Sequence, residues 1–284
     1  MEKTTNNLAN VNGVQLYVER HGCGEPLLMI PGLGAGTWLW VKSVHALSQH
    51  FELTMPELRG SGRSDKPDKR YSVALFAADL QEMLTQLEIK KVHIIGASLG
   101  GFVAQYLAAR WPGQVAALVL VATSLGGEQQ IGPTGEVLCH TIRPRGKTKQ
   151  ERLEDAYFFQ FTEEFRERHP DELGRITAWR EQFPQPEFAY YRQLLAGNAY
   201  DGAQLAANIT APTLICAARH DPFVPLEDTY ALKNKIAHSE LVLFEGRHLF
   251  FFEQSRKFNQ VVLDFLQRHP IASDTRKALS YQTT

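Results

Sequence analysis

No stretch of the chain approaches the roughly 18 consecutive apolar residues that a membrane-crossing helix needs. Cysteine is scarce as well. Cys23, Cys139 and Cys216 are odd in number and widely spaced, which suits neither a disulfide framework nor a zinc-site spacing. They are expected to be reduced, small apolar residues. An excess of charge of either sign is also missing. Thirty basic residues stand against 31 acidic, a formal net charge of -1, so there is no electrostatic footprint for nucleic acid or an anionic membrane. The basic run RPRGKTKQER (143–152) reads as a solvated loop entering a helix. The start, MEKTTNNLANVNG, lacks the apolar core of a signal peptide, and a cytoplasmic protein is the expectation. Internal repeats and low-complexity segments are absent too.

What remains is a 284-residue chain that is 44% hydrophobic, enough for one large core with an inserted module. Short runs rich in Val, Ile and Leu alternate with longer helical patterns. Strands are expected at VQLYVER (14–20), PLLMIPG (26–32), FELTMPE (51–57), KVHIIG (91–96), QVAALVLVAT (114–123), PTLICAA (212–218) and ELVLFEG (240–246). Helices are expected over 38–50, over 72–89 with Ser72 as N-cap, over 99–110, and near 226–237 and 253–268. From Leu125 to about Ala207 no strand is convincing, and Tyr157, Phe161 and Phe165 fall on one helix face. The fold expected is α/β: a mostly parallel central sheet with helices on both faces and an inserted helical cap. Its parts are a core of residues 1–124 and 208–270, a cap of residues 125–207 and a polar tail of residues 271–284. In such sheets ligands bind beyond the carboxyl ends of the strands.

Four features fall there. Gly96-Ala97-Ser98-Leu99-Gly100 satisfies G-x-S-x-G between a buried strand and a helix, as a nucleophile elbow requires. Ser98 would be the nucleophile, and the flanking glycines would permit its strained backbone. A serine needs a base. His248, after the last strand, fits that role; His220 is its rival, but adjoining Asp221 suits the third role better. Asp221 would orient the imidazole and stabilise its charged form. Asp228 lies too far into the next helix, and Glu245 is on the wrong side of its turn. The N–H of Leu99 and that of Leu33, in IPGLGAGTW (30–38), would form the oxyanion hole. Trp38, Phe158, Phe161, Trp179, Phe183 and Tyr191 are candidate pocket residues, with core packing as the competing role of each. GLGAG followed by Thr37 fails the dinucleotide fingerprint, which needs a third glycine at that position; Glu57 would have been its ribose acid.

With serine, aspartate and histidine in this order, the chain resembles the α/β-hydrolase-fold superfamily in its serine branch, from about Val11 to Phe265. ELRGSGRSDKP (57–67) is similar to that family's R-G-x-G-x-S-x-x-P loop, with Arg59 to Ser64 structural. PTLICAARHDPFVP resembles its acid loop and EGRHLFFFEQ its histidine loop. Pro31-Gly32 stands where many members carry His-Gly. The segments Pro31–Gly36 and His248–Glu253 look most like the carboxylesterase and enol-lactonase branch. The resemblance implies hydrolysis of a small carboxylic ester or lactone through an acyl-serine, with no metal or organic cofactor. Alternatives are a thioesterase, a serine-dependent carbon–carbon bond hydrolase, or a small-ligand receptor with slow turnover. Gly-Ala-Ser and Leu249 stand where the carbon–carbon hydrolases usually show Gly-Asn-Ser and a tryptophan. Oligomeric state and natural substrate do not follow from the residues.

Overall fold

A computed structural model describes residues 5–141 and 147–272; most of the polar tail, and residues 143–146 of the basic run 143–152, lie outside the described residues. In chain order the elements are β1 (Thr5–Val11), β2 (Val14–His21), β3 (Glu25–Ile30), a 3-10 turn (Thr37–Trp40), α1 (Val41–Leu47), β4 (Phe51–Pro56), α2 (Val73–Gln86), β5 (Val92–Ala97), α3 (Leu99–Arg110) and β6 (Val115–Val121). Then come α4 (Gly135–Thr141), α5 (Lys149–Gln160), α6 (Glu163–Arg168), α7 (Pro170–Gln182) and α8 (Glu187–Asn198). The chain returns through β7 (Thr213–Ala218), α9 (Leu226–Lys235), β8 (Ser239–Phe244), α10 (Phe250–Glu253) and α11 (Ser255–Gln267).

The eight strands form one sheet in the order β1-β2-β4-β3-β5-β6-β7-β8. The first two pairings are antiparallel and the rest parallel. The period of two in the strands sorts their side chains onto two cores. Leu28, Ile30, Ile94, Leu118, Leu120 and Ile215 pack with residues of α2, α3 and α9. Leu27, Met29, Ile95, Val119, Val121 and Cys216 pack with residues of α1 and α11 on the other side. Both faces are covered, which is why the central strands read as continuous apolar runs. Each fully buried Leu, Ile or Val contributes about 1.5–3 kcal/mol relative to exposure, so a one-residue slip in register would forfeit an entire row.

Strand β1 was not expected. Its Asn-rich sequence has low strand propensity, but the two-residue turn after it explains it. Asn12 (φ 45°) and Gly13 (φ 75°) are both left-handed and join β1 to β2, with Val11 opposite Val14. Asn-Gly is the preferred chemistry for that hairpin turn. Ser72 caps α2 by accepting the Leu75 N–H at 3.1 Å, and the helix ends before the left-handed Glu88. The expected helix face at Tyr157, Phe161 and Phe165 is interrupted. Phe161 is extended, and Thr162 caps α6 by accepting the Phe165 N–H at 3.2 Å. The three rings still meet, with Phe161 and Phe165 stacked at 5.0 Å, because all face the core beside Phe252. Of the cysteines only Cys216 is buried, and burial pushes its thiol pKa up; Cys23 and Cys139 are exposed. Among the described residues no helix is long and apolar enough to cross a membrane.

The chain moves from β3 to β4 on one side and returns to β5 on the other. The crevice at this switch point lies between the loops that leave β3 and β5. Because β3, β5, β7 and β8 run parallel, the loops carrying Leu33, Ser98, Asp221 and His248 emerge at the same sheet edge.

Candidate active site

Ser98 is the hinge between β5 and α3, with φ 53° and ψ −118°. This left-handed backbone costs a non-glycine residue about 1–3 kcal/mol and persists only when its surroundings enforce it. The Ser98 N–H donates to the Val121 carbonyl at 2.9 Å. Its own carbonyl accepts from Gly101 N at 2.8 Å, Phe102 N at 3.3 Å and Thr123 Oγ1 at 3.0 Å. The flanking glycines are needed for space. A methyl group on Gly96 would collide with the Gly100 carbonyl, and one on Gly100 with the carbonyls of Ile30 and Pro31. The turn therefore sits directly against the end of β3.

The loop after β3 crosses beside the serine: a methyl group on Gly32 would lie 3.3 Å from Ser98 Cβ. Ala35 N donates to Gly32 O at 3.2 Å, and Gly34 N donates to Gln193 Oε1 at 3.0 Å. The intervening Leu33 N–H has no hydrogen-bond partner among the described residues, and neither has the Leu99 N–H at the start of α3. A helix N-terminus favours negative charge. Two unspent donors thus flank the serine where an oxyanion would develop.

Asp221 and His248 are both buried, and Asp221 Oδ2 lies 2.8 Å from His248 Nδ1. Asp221 Oδ1 accepts from the N–H groups of Phe223 (2.8 Å) and Val224 (3.2 Å), which fixes the carboxylate. A carboxylate only accepts, so Nδ1 carries the proton and Nε2 keeps a free lone pair. The Phe223 ring packs 4.7 Å from the imidazole. Gly246, at φ 103°, turns the histidine loop back over the sheet. That loop is pinned to the helical block: Leu249 N donates to Gln160 O at 2.9 Å. Glu253 accepts from Thr162 N (2.7 Å) and Thr162 Oγ1 (2.8 Å), and burial raises its pKa. The Ser98 hydroxyl makes no hydrogen bond to His248 among the described residues; such bonds commonly tighten only when substrate binds.

The rivals have other partners. His220 has a side chain 74% exposed and faces Glu245 at 3.8 Å. Asp228 accepts the N–H groups of Ile131 and Gly132, each at 2.8 Å, and so clamps the chain entering the helical block. Glu57 is buried, accepting from Thr37 N at 3.2 Å and Arg63 Nη2 at 2.6 Å. Ser64 accepts the Tyr17 N–H at 2.9 Å and donates to the Glu57 carbonyl at 2.6 Å, and Arg59 grips Asp79, consistent with a structural loop.

Ser98 and His248 open onto one cavity of about 540 Å³, which Leu33 and Leu99 also line. Trp38, Trp179 and Phe183 line it. Phe158, Phe161 and Tyr191 do not. Phe158 is 43% exposed, under the guanidinium groups of Arg166 and Arg247. Phe161 is fully buried in the core, and Tyr191 packs on the adjacent Tyr190. Phe159 and Tyr190, one residue away from expected positions, line the cavity instead; one residue is about 100° around a helix, so the neighbour presents a different face. Phe102, Phe223, Gln193, Arg152 and Arg180 were also missed. Only Phe223 had a signal, its position two residues after Asp221. Among the described residues no group of three or more His, Cys, Asp or Glu could hold a metal ion.

A sequence model of the alpha/beta hydrolase fold matches residues 25–255. A poly(3-hydroxyalkanoate) depolymerase of Ectopseudomonas oleovorans is 29% identical over 243 residues, covering 86% of this chain and 84% of that protein. A 2-hydroxy-6-oxo-2,4-heptadienoate hydrolase of Pseudomonas putida is 28% identical over 273 residues, covering 89% and 93%. The crystal structure of the enol-lactonase from Burkholderia xenovorans LB400 superposes with a TM-score of 0.83 at 24% identity, over 92% of this chain and 100% of that one; this likeness concerns the fold.

Proposed function

The chain belongs to the alpha/beta hydrolase fold family, and on that premise we propose that it is a serine hydrolase cleaving a small to medium carboxylic ester or lactone. The observation that carries this reading is the buried Asp221–His248 contact of 2.8 Å, facing the same cavity as a serine on a strained strand–helix turn. His248 Nε2 takes the Ser98 proton as Oγ attacks the carbonyl. The N–H groups of Leu33 and Leu99 hold the tetrahedral oxyanion. His248 returns the proton to the leaving alcohol, and an acyl-serine remains. Water activated by His248 then releases the acid. Asp221 holds the imidazole in the productive tautomer and stabilises its charged form. Residues 125–207 act as the cap that closes the pocket.

The poly(3-hydroxyalkanoate) depolymerase supports ester cleavage, since such a polymer is a polyester, whereas the 2-hydroxy-6-oxo-2,4-heptadienoate hydrolase keeps the carbon–carbon bond alternative in view. The test is fluorophosphonate labelling with mass mapping, alongside a panel of p-nitrophenyl esters, thioesters and lactones. The expected result is an adduct on Ser98 and ester turnover that Ser98→Ala abolishes. Labelling elsewhere, or equal turnover by wild type and Ser98→Ala, would overturn the assignment.

A further inference from the structure

On the side of the helical block the cavity wall offers amide groups, Gln160 among them with a buried, unpartnered Oε1, but no carboxylate. Among its described residues there is no aspartate or glutamate, whereas two arginines reach it, Arg152 on α5 and Arg180 on α7. Arg152 donates from Nη1 to the Lys147 carbonyl at 2.8 Å. Arg180 makes no hydrogen bond or ion pair among the described residues, and its Nε is buried without a partner. Its guanidinium packs 5.2 Å from the Trp38 ring and 5.7 Å from the Tyr157 ring. Trp38 Nε1, a donor only, is likewise buried without a partner.

Two other arginines, Arg59 and Arg63, are held by carboxylates instead. Arg59 grips Asp79 through two bonds of 2.5 and 2.6 Å, and Arg63 Nη2 meets Glu57 at 2.6 Å and Glu19 at 2.9 Å. Arg180 alone of these three has aromatic rings but no carboxylate. A cation taken out of water without an anion is destabilising, and aromatic faces offset only part of that. Burial accordingly lowers its pKa. The Arg180 guanidinium, in the wall of the cavity that also holds Ser98 and without a carboxylate of its own, matches an acceptor-only ligand group through its Nη groups.

Resting on the ester and lactone reading above, we propose that the substrate carries a carboxylate remote from the scissile carbonyl, bound by Arg180 with help from the charge of Arg152. A planar carboxylate matches one guanidinium fork. A dianionic phosphate would call for a denser set of donors than this wall offers.

The test uses monoethyl adipate against ethyl hexanoate, which share a six-carbon acyl chain and differ at the far end. Succinate, glutarate and suberate monoesters cover other lengths. For the best length, wild type is expected to show kcat/KM at least about tenfold above that for the neutral ester. The ratio of the two should fall about 10- to 100-fold in Arg180→Leu, the range a lost charge-assisted hydrogen bond produces. Arg180→Lys should retain part of it, which guards against a loss due only to misfolding. Binding is read separately in Ser98→Ala through the fluorescence of Trp38 and Trp179, with the same two esters. Tighter binding of the carboxylated ester, lost in Ser98→Ala/Arg180→Leu, supports the site even if no ester is turned over; in that case the ester reading fails and this one stands. Wild-type preference for neutral esters at every length, or an unchanged ratio in Arg180→Leu, overturns it.

Discussion

Replacing Gln193 by Leu tests how the helical block controls the oxyanion loop. Gln193 is fully buried on α8, and its amide bridges two core loops and Gln185 of the helical block. Oε1 accepts from Gly34 N and Gln185 Nε2, both at 3.0 Å. Nε2 donates to the Arg59 carbonyl at 2.8 Å and to Ser61 Oγ at 2.7 Å. Leucine has a similar size but no polar atom. It strands the Gly34 N–H, the Arg59 carbonyl and the buried Ser61 hydroxyl. Gln185 keeps its bond to Gly60 O at 2.9 Å and is spared. Each buried orphan costs about 1–3 kcal/mol. The Gly34 N–H is half-exposed and the Ser61 hydroxyl can rotate, so about 2–4 kcal/mol is expected in total. Urea unfolding should show this as a lower midpoint at constant slope. Freed Gly34 should also let the Leu33 N–H drift. Removing an oxyanion donor outright costs about 10²–10³ in kcat, so a displaced one should cost about 10–100, with KM changed less. A loss of stability below about 1 kcal/mol would refute the hydrogen-bond accounting. A full loss of stability with unchanged kcat would make Gln193 structural only and refute its positioning role.

Three further outcomes are expected. Arg59→Met leaves Asp79 buried, with Asn12 Nδ2 at 3.0 Å as its remaining side-chain donor, and should cost about 3–5 kcal/mol in urea unfolding. Asp221→Asn should keep the fold but present the wrong imidazole tautomer, lowering kcat about 10³–10⁴-fold in a p-nitrophenyl ester assay. His93 is buried on β5 with Nε2 2.9 Å from Glu25, and burial holds its pKa below the usual 6.5 despite that carboxylate. Below pH 6.5 the unfolded chain therefore binds more protons than the folded one, so this part of the stability is full above that pH and is lost as pH falls toward the depressed value. Unfolding of wild type and His93→Gln at pH 7 and pH 5 should show the shallower loss in the variant.

Much of the fold was legible because its signals are local. Strands buried on both faces must be continuously apolar, and the glycines at 96 and 100 mark a turn where a side chain has no room. Ser98, Asp221 and His248 could be picked out because each follows a strand of one parallel sheet. Strand β1 was hidden by its asparagines, although the Asn12-Gly13 turn beside it was the clue. The helical block was the least legible part. An aromatic residue there serves equally well as core or as pocket lining, and a break at Phe161–Thr162 shifts every face after it.

The sequence by itself determined the alternation of strands and helices in the core from β2 onward, the serine turn and the candidates Asp221 and His248, because these depend on periodicity, glycine placement and position after a strand. Only the tertiary structure decided which side chains meet across the cavity. Gln193 reaching Gly34, Trp179 and Phe183 lining the cavity of Ser98 while Phe161 turns away, and Arg180 left without an acid all join segments far apart in the chain or depend on a neighbour's absence. Packing of the helical block against the sheet edge sets those contacts, and no local pattern encodes the distance between its faces and the nucleophile.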